Sequence, residues 1–337
     1  MSNSKCSRDA RRLSTIAVAA LTGLALSAPS RALVINPTFN GLSADAQAQI
    51  NLAIDFYEKT FSDPITVDIE FHNMSTGLGR SDYHYYFWSY DSYRAALIAD
   101  KTSPNDTIAV ATVPAGPNDP ILGKQFITLK SATGRAVGLP TPGLPTVIDG
   151  ICNFIGDGCV GINVSLATTL HGATGVFEVA EHEINEVLGL GSSLQSDGKI
   201  TQGFISPEDL FRYNGVGVRS FTFDCGFFDD TARAFLSLDG GNTNLNEFNN
   251  CLNDGDFGDW ITHTPTQIQD AFDSPGSPFL TMDDTAVIAL DAVGYTFIEP
   301  AALVSEPMGV LLLGTGFLGL GGVRRRGARM APYQPTS

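Results

Sequence analysis

Residues 174–190 read TGVFEVAEHEINEVLGL, and the fold is decided by how this stretch is read. Phe177, Ala180, Ile184 and Val187–Leu188 recur at helical spacing and make one apolar face. Gly189 and Gly191 follow, and glycine commonly stops a helix. A central helix over 174–190 is predicted. Inside it stands His182-Glu183-Ile184-Asn185-Glu186. Residues four apart share a helical face, so His182 and Glu186 can reach one metal ion. Zinc takes carboxylate oxygen as well as imidazole nitrogen. The run differs from the zinc-protease motif H-E-x-x-H by a glutamate in the last place. Glu183, beside the two ligands, is the expected catalytic residue, taking a proton from water and returning it to the leaving amine.

A third ligand is needed. In the longer pattern H-E-x-x-H-x-x-G-x-x-H the glycine falls on Gly189, but the last ligand falls on Ser192, a weak zinc ligand. Glu208, Asp209, Asp197 and Glu178 stand as candidates. The other histidines are His72, His84, His171 and His263. His171 reads as a surface residue, and His263 is ambiguous. Asp254, Asp256 and Asp259, with Asn253 and Gly255, offer hard oxygen donors for calcium in a tight turn. They do not match the twelve-residue calcium loop. No G-x-S-x-G run points to a serine hydrolase.

Outward from the centre, 45–60 has the spacing of an amphipathic helix, with Ile50, Ala53, Ile54 and Tyr57 on one side. Residues 64–72 alternate as a strand. The aromatic run DYHYYFWSYDSY reads as core or a lining loop, leading into a helix at 89–101. Strands are expected at 107–114, 124–137 and 162–166, with a loop at 138–150. Residues 235–260 read as loops between short elements. A closing helix is expected at 281–297, capped by Thr281, with Asp283 and Asp284 in its first turn.

The chain has 337 residues, 43% of them hydrophobic, enough for a large core. Its formal charge is −16, which argues against nucleic acid as a partner, since phosphates need basic surface.

Both ends read as targeting segments. A basic start, an apolar run from Ile16 to Leu26 and Ser30-Arg31-Ala32 predict a signal peptide over 1–32, cut by signal peptidase. Residues 308–323, MGVLLLGTGFLGLGGV, precede Arg324–Arg326, the pattern of a short membrane segment with a cytoplasmic stop. The domain between them is expected at 33–300, with a sorting or anchoring segment at 301–337. Cys152, Cys159, Cys225 and Cys251 remain after the signal, an even number in an exported chain. Three pairings are open, and the local one, Cys152–Cys159 with Cys225–Cys251, is the simplest. A four-cysteine zinc site lacks its C-x-x-C knuckle.

The segments HEINEVLG (182–189), DLFRYNGVGVRSF (209–221), SLDGGNTNLNEFN (237–249), GDFGDW (255–260) and LDAVGYTF (290–297) resemble zincin-like metalloproteases that carry the PEP-CTERM sorting signal. The tail resembles that signal, with Ser305-Glu306-Pro307 where Pro-Glu-Pro is usual. That group itself has glutamate at the position of Glu186. The resemblance implies an α+β, metzincin-related fold with a twisted sheet and a central active-site helix. It implies a zinc-dependent endopeptidase acting on an extracytoplasmic protein or peptide. It also implies transient anchoring in the inner membrane and processing by a sorting enzyme. The destination would be periplasm, cell surface or exterior of a Gram-negative bacterium. The competing expectation is a non-catalytic surface or matrix protein on the same scaffold, binding calcium or polysaccharide.

Overall fold

The computed structural model describes residues 32–148, 152–194, 203–221, 233–251, 255–274, 276 and 278–298; the side chains of 145–148 and 152–155 fall outside it. The signal segment before Ala32, the C-terminal segment 301–337, Asp197, Asp254 and Cys225 also lie outside the described residues.

Strand β1 (Val34–Asn40) leads through helix α1 (Ala44–Thr60) to β2 (Thr66–Asn73). Ser43 starts α1 by accepting a hydrogen bond from the Ala46 amide. Ile50, Ala53, Ile54 and Tyr57 are buried, as their spacing predicts. The aromatic run departs from expectation. It forms two strands, β3 (Gly79–Tyr83) and β4 (Tyr85–Ser89), before helix α2 (Tyr90–Asp100).

Residues 107–114 are not a strand. Most belong to helix α3 (Pro104–Thr112), because Ser103 and Asp106 form a reciprocal capping box and Pro104 sits in the first turn. Of 124–137, only β5 (Phe126–Lys130) is extended, and helix α4 (Ser131–Ala136) follows at once. The expected loop at 138–150 contains β6 (Leu144–Ile148), paired antiparallel with β7 (Cys152–Gly156). Strand β8 (Gly158–Ile162) ends where a strand was expected to begin. Asn163 accepts from the Leu166 amide and starts helix α5 (Val164–His171).

The central helix is α6 (Gly175–Leu188). Short strands follow: β9 (Arg212–Gly215), β10 (Val218–Arg219), β11 (Phe235–Leu236) and β12 (Asn246–Glu247). Helix α7 (Thr285–Val293) is shorter than expected. Its cap position is Asp284, not Thr281, whose amide and hydroxyl instead donate to the Asp284 carboxylate.

The described chain is a mixed α+β fold. Its main sheet runs β1-β2-β8-β3, with the first three parallel and β3 added antiparallel at the edge. Helix α6 packs against β3 and β8 of this sheet and against α1. Gly158 permits the approach, since a Cβ there would lie 2.5 Å from Val187. Arg135 grips Asp157 with both arms at 2.8 Å, and Asp157 also accepts from Ser131 and the Asp68 amide. Helix α4 is thereby tied to the sheet. Cys159 and Cys251 are disulfide-bonded, but the expected partner sulfurs fall outside the described side chains. Among the described residues no helix is long and apolar enough to cross a membrane.

Two buried acids couple this fold to pH. Burial, against a hydrogen bond from the Thr296 amide, pushes Asp63 up to about 7. Burial, with Asp106 nearby, pushes Asp291 up to about 8. The folded chain keeps both protons where the unfolded chain, titrating near about 4, has lost them. Their stabilisation is complete below that value and disappears as pH rises through about 7 to 8. Melting temperature in chelator should therefore fall between roughly pH 5 and roughly pH 8. Asp291→Asn should flatten the slope in thermal melts, and a wild-type slope would count against a protonated Asp291.

Candidate metal centre

Helix α6 is buried almost throughout, with Glu178, Glu181, Glu183 and Glu186 among its buried residues. Burying carboxylates is costly unless each finds a partner. The site emerges from how these partners are supplied.

His182 lies near the middle of α6 and is partly exposed. Its Nδ1 lies 2.7 Å from the Ile268 carbonyl oxygen. A carbonyl only accepts, so Nδ1 carries a hydrogen, and Nε2, 3.5 Å from the Gln269 side-chain nitrogen, is the ring atom turned to Glu186 and Asp259. Nε2 is 3.7 Å from Glu186 Oε1 and 3.6 Å from Asp259 Oδ2. The three ligand atoms all lie within 4.8 Å of one another. Ligands about 2.0–2.1 Å from a tetrahedral zinc are separated by roughly 3.3 Å, so the His182 contacts are close to what an ion requires. The His182–Glu186–Asp259 group can hold a metal ion.

Glu186 is held from two sides. Its second oxygen accepts a short hydrogen bond from Ser81 of β3. Its main-chain carbonyl accepts from buried Lys130 at 2.5 Å, and Lys130 also donates to the Leu190 carbonyl. The ammonium lies 3.5 Å from the centre of the Tyr83 ring. It thus neutralises the carbonyl end of α6. Glu183 faces β3 at Gly79, where any Cβ would come within 2.2 Å of its Oε1. Only glycine there leaves room for the carboxylate. Glu183 Oε2 is buried with no hydrogen-bond partner among the described residues. His182, Glu183, Glu186 and Asp259 line one cleft of about 820 Å3. Gly79, Arg80 and Ser81 line one part of it, and Ile268 and Asp270 to Asp273 another.

The third member differs from the residues expected as third ligand. Glu178 is engaged by Thr174 at 2.6 Å and by His171 at 3.0 Å. Glu208 accepts from the Gly191 amide. Asp209 accepts from Ser192, Ser193 and Ser206, bracing the chain just after α6. Neither Glu208 nor Asp209 belongs to the group, because both serve backbone and hydroxyl donors of that turn. Asp259, read in sequence as part of a calcium turn with Asp254 and Asp256, instead joins His182. Asp256 is exposed on the cleft rim. The loop that presents Asp259 is anchored by buried Arg212, which donates to the Phe257 carbonyl and to Asn250. The Asn249 amide bonds the Asp259 carbonyl at 2.7 Å, and Trp260 is buried beside Phe248. The long separation in sequence from His182 left no local spacing to reveal this ligand.

His171, read as a surface residue, has a side chain only 6% exposed, set between Glu178 and Asp273. His263 bonds Asp270 at 2.6 Å. His72 and His84, on β2 and beside β3, are not in the group.

Charge explains why a cation fits. Burial pushes Asp259 up to about 8, with Glu186 and Asp256 adding to the effect. Burial, then Glu186, raises Glu183 well above the ordinary carboxylate value. Burial opposes charge on His182, yet Asp259 and the two glutamates raise it well above the usual imidazole value. Burial likewise opposes charge on Glu186, but His182, Lys130 and Ser81 hold its value low. The cluster has more negative charge than its surroundings offset, so it holds protons that a bound cation would release.

Lys130→Met would leave two carbonyls at the end of α6 without this donor. An unfolding free energy lower by about 2–4 kcal/mol is expected in urea titration. A loss below about 0.5 kcal/mol would mean that the lysine does not hold the helix end. No family model, curated protein or solved structure matches this chain.

Proposed function

We propose that this chain is an exported zinc-dependent metalloendopeptidase with a zincin-like fold. The observation that carries the reading is the convergence of His182, Glu186 and Asp259 beside Glu183 in one cleft. One imidazole and two carboxylates are three protein ligands, the number that leaves a catalytic zinc site open for substrate. The imidazole favours zinc over calcium, which selects oxygen donors. The antiparallel edge strand above the helix supports the fold assignment. So does the resemblance of the HEINEVLG helix to PEP-CTERM-sorted zincins. Export, membrane tethering and processing by a sorting enzyme belong to the same reading and rest on the two terminal segments.

A bound zinc ion would supply Lewis acidity, making a water a nucleophile at neutral pH and polarising the scissile carbonyl. The chain's own residues do the rest. His182, Glu186 and Asp259 would hold the ion. Glu183, which lines the cleft, would take the proton from the attacking water and pass it to the departing amine. Strand β3, at the sheet edge and on the cleft wall, offers main-chain groups to an extended peptide as an added strand. Ser81 engages one oxygen of Glu186 and leaves the other facing His182, where it would meet the ion.

Metal analysis of the purified chain and hydrolysis of a casein-like substrate test the reading. Glu183→Gln should retain zinc and lose hydrolysis by roughly 10²- to 10⁴-fold. Asp259→Asn should lose zinc, whereas Asp209→Asn should keep it. Zinc without hydrolysis in the wild type would make the chain a non-catalytic surface or matrix protein. No zinc in the wild type would refute the site.

A further inference from the structure

Ile268 of the cleft lining and the buried Gln269 beside it touch two different members of the His182–Glu186–Asp259 group. The Ile268 carbonyl accepts from His182 Nδ1. The side-chain amide of Gln269 donates to Asp259 Oδ1 at 2.8 Å. Asp259 Oδ2 is the oxygen that faces His182. The two carboxylate oxygens are therefore divided: one is engaged by Gln269, and the other points into the site.

Gln269 is 1% exposed and fixed from behind. Its own oxygen accepts from Asn185 of α6 at 2.8 Å. Asn185 Oδ1 lies 2.8 Å from the Tyr57 hydroxyl of α1, which also reaches the Glu181 carbonyl at 2.6 Å. The Gln269 carbonyl accepts from the Trp260 amide at 2.8 Å. The turn beneath is built on Asp270, which accepts from the amides of Gln267 and His263. A buried chain thus runs from Tyr57 through Asn185 and Gln269 to Asp259. Each amide in it accepts at one end and donates at the other. Asn185 donates to the oxygen of Gln269, and the NH2 group of Gln269 faces Asp259.

We propose that Gln269 is a positioning residue that commits Asp259 Oδ2 to the metal and so sets both affinity and coordination geometry. The inference rests on the metal site proposed above. Outer partners of this kind typically contribute 10- to 100-fold to metal affinity. The same chain makes α1, which contributes no ligand, part of the site's support.

The test is titration of the metal-depleted full chain with cobalt(II), whose visible bands report coordination geometry. Gln269→Met removes the amide at similar volume. It is expected to bind cobalt roughly 10- to 100-fold more weakly, with altered bands, while circular dichroism stays native. Wild-type affinity and bands in a folded Gln269→Met would overturn the proposal. Should that variant not fold, two milder ones decide. Tyr57→Phe breaks the far end of the chain. Tyr295→Phe loses an equally buried hydroxyl bond, to the Leu188 carbonyl, outside it. Weaker binding only in Tyr57→Phe supports the proposal, and equal affinities refute it. A wild type that binds no cobalt would instead refute the metal site itself.

Discussion

A helix buried on nearly every side yet carrying four glutamates has to be served from every side. This requirement organises the molecule around α6. Burial of an unpaired carboxylate costs several kcal/mol or forces it to hold a proton. Each neighbouring segment therefore brings a polar group to the helix. The α5–α6 turn gives Thr174 and His171 to Glu178. The approach to α7 gives the Leu280 amide to Glu181. Strand β3 gives Ser81 to Glu186 and steps back at Gly79 for Glu183. Strand β5 gives Lys130 to the helix end. The layers of the fold are arranged as much by this polar demand as by apolar contact.

The metal group is where that demand is least fully met by protein. His182, Glu186 and Asp259 lie within 4.8 Å, with Glu183 close behind, and the cations nearby are His182 itself and Lys130. Lys130 is turned away, bonded to main-chain carbonyls under the Tyr83 ring. A divalent cation would resolve the imbalance by taking the place of the proton on Nε2, which already faces Glu186 and Asp259, and would leave the Nδ1 bond to the Ile268 carbonyl intact.

How much of this was legible in the sequence depended on how local each signal is. The periodic helices, α1 and α6, were read nearly to their ends, because burial on one face leaves its mark every three or four residues. The pairing of His182 with Glu186 on one face came with α6 for the same reason. Caps were decisive where periodicity misled. The run Thr107 to Val113 has strand-like residues, but Ser103, Pro104 and Asp106 start a helix. Asn163 does the same for α5. Asp259 was read with Asp254 and Asp256 as a calcium turn, whereas the structure sets it beside His182 and Glu186. Its role depends on a loop held by Arg212 and Trp260, and such long-range packing has no period to read. Glu208 and Asp209 were attractive as candidates for the opposite reason: they are near in sequence, and the structure spends them on the adjoining turn.

The position of Asp259 also bears on when the centre can exist. A chain emerging from its N-terminus presents the whole main sheet and α6 before Asp259, Ile268 and Gln269 have appeared. Until then His182 has neither the carbonyl that fixes its tautomer nor the carboxylate opposite it. The last strands and turns to be made are thus a built-in delay. A nascent or truncated chain that stops before Asp259 carries the HEINE run but lacks the groups that surround His182.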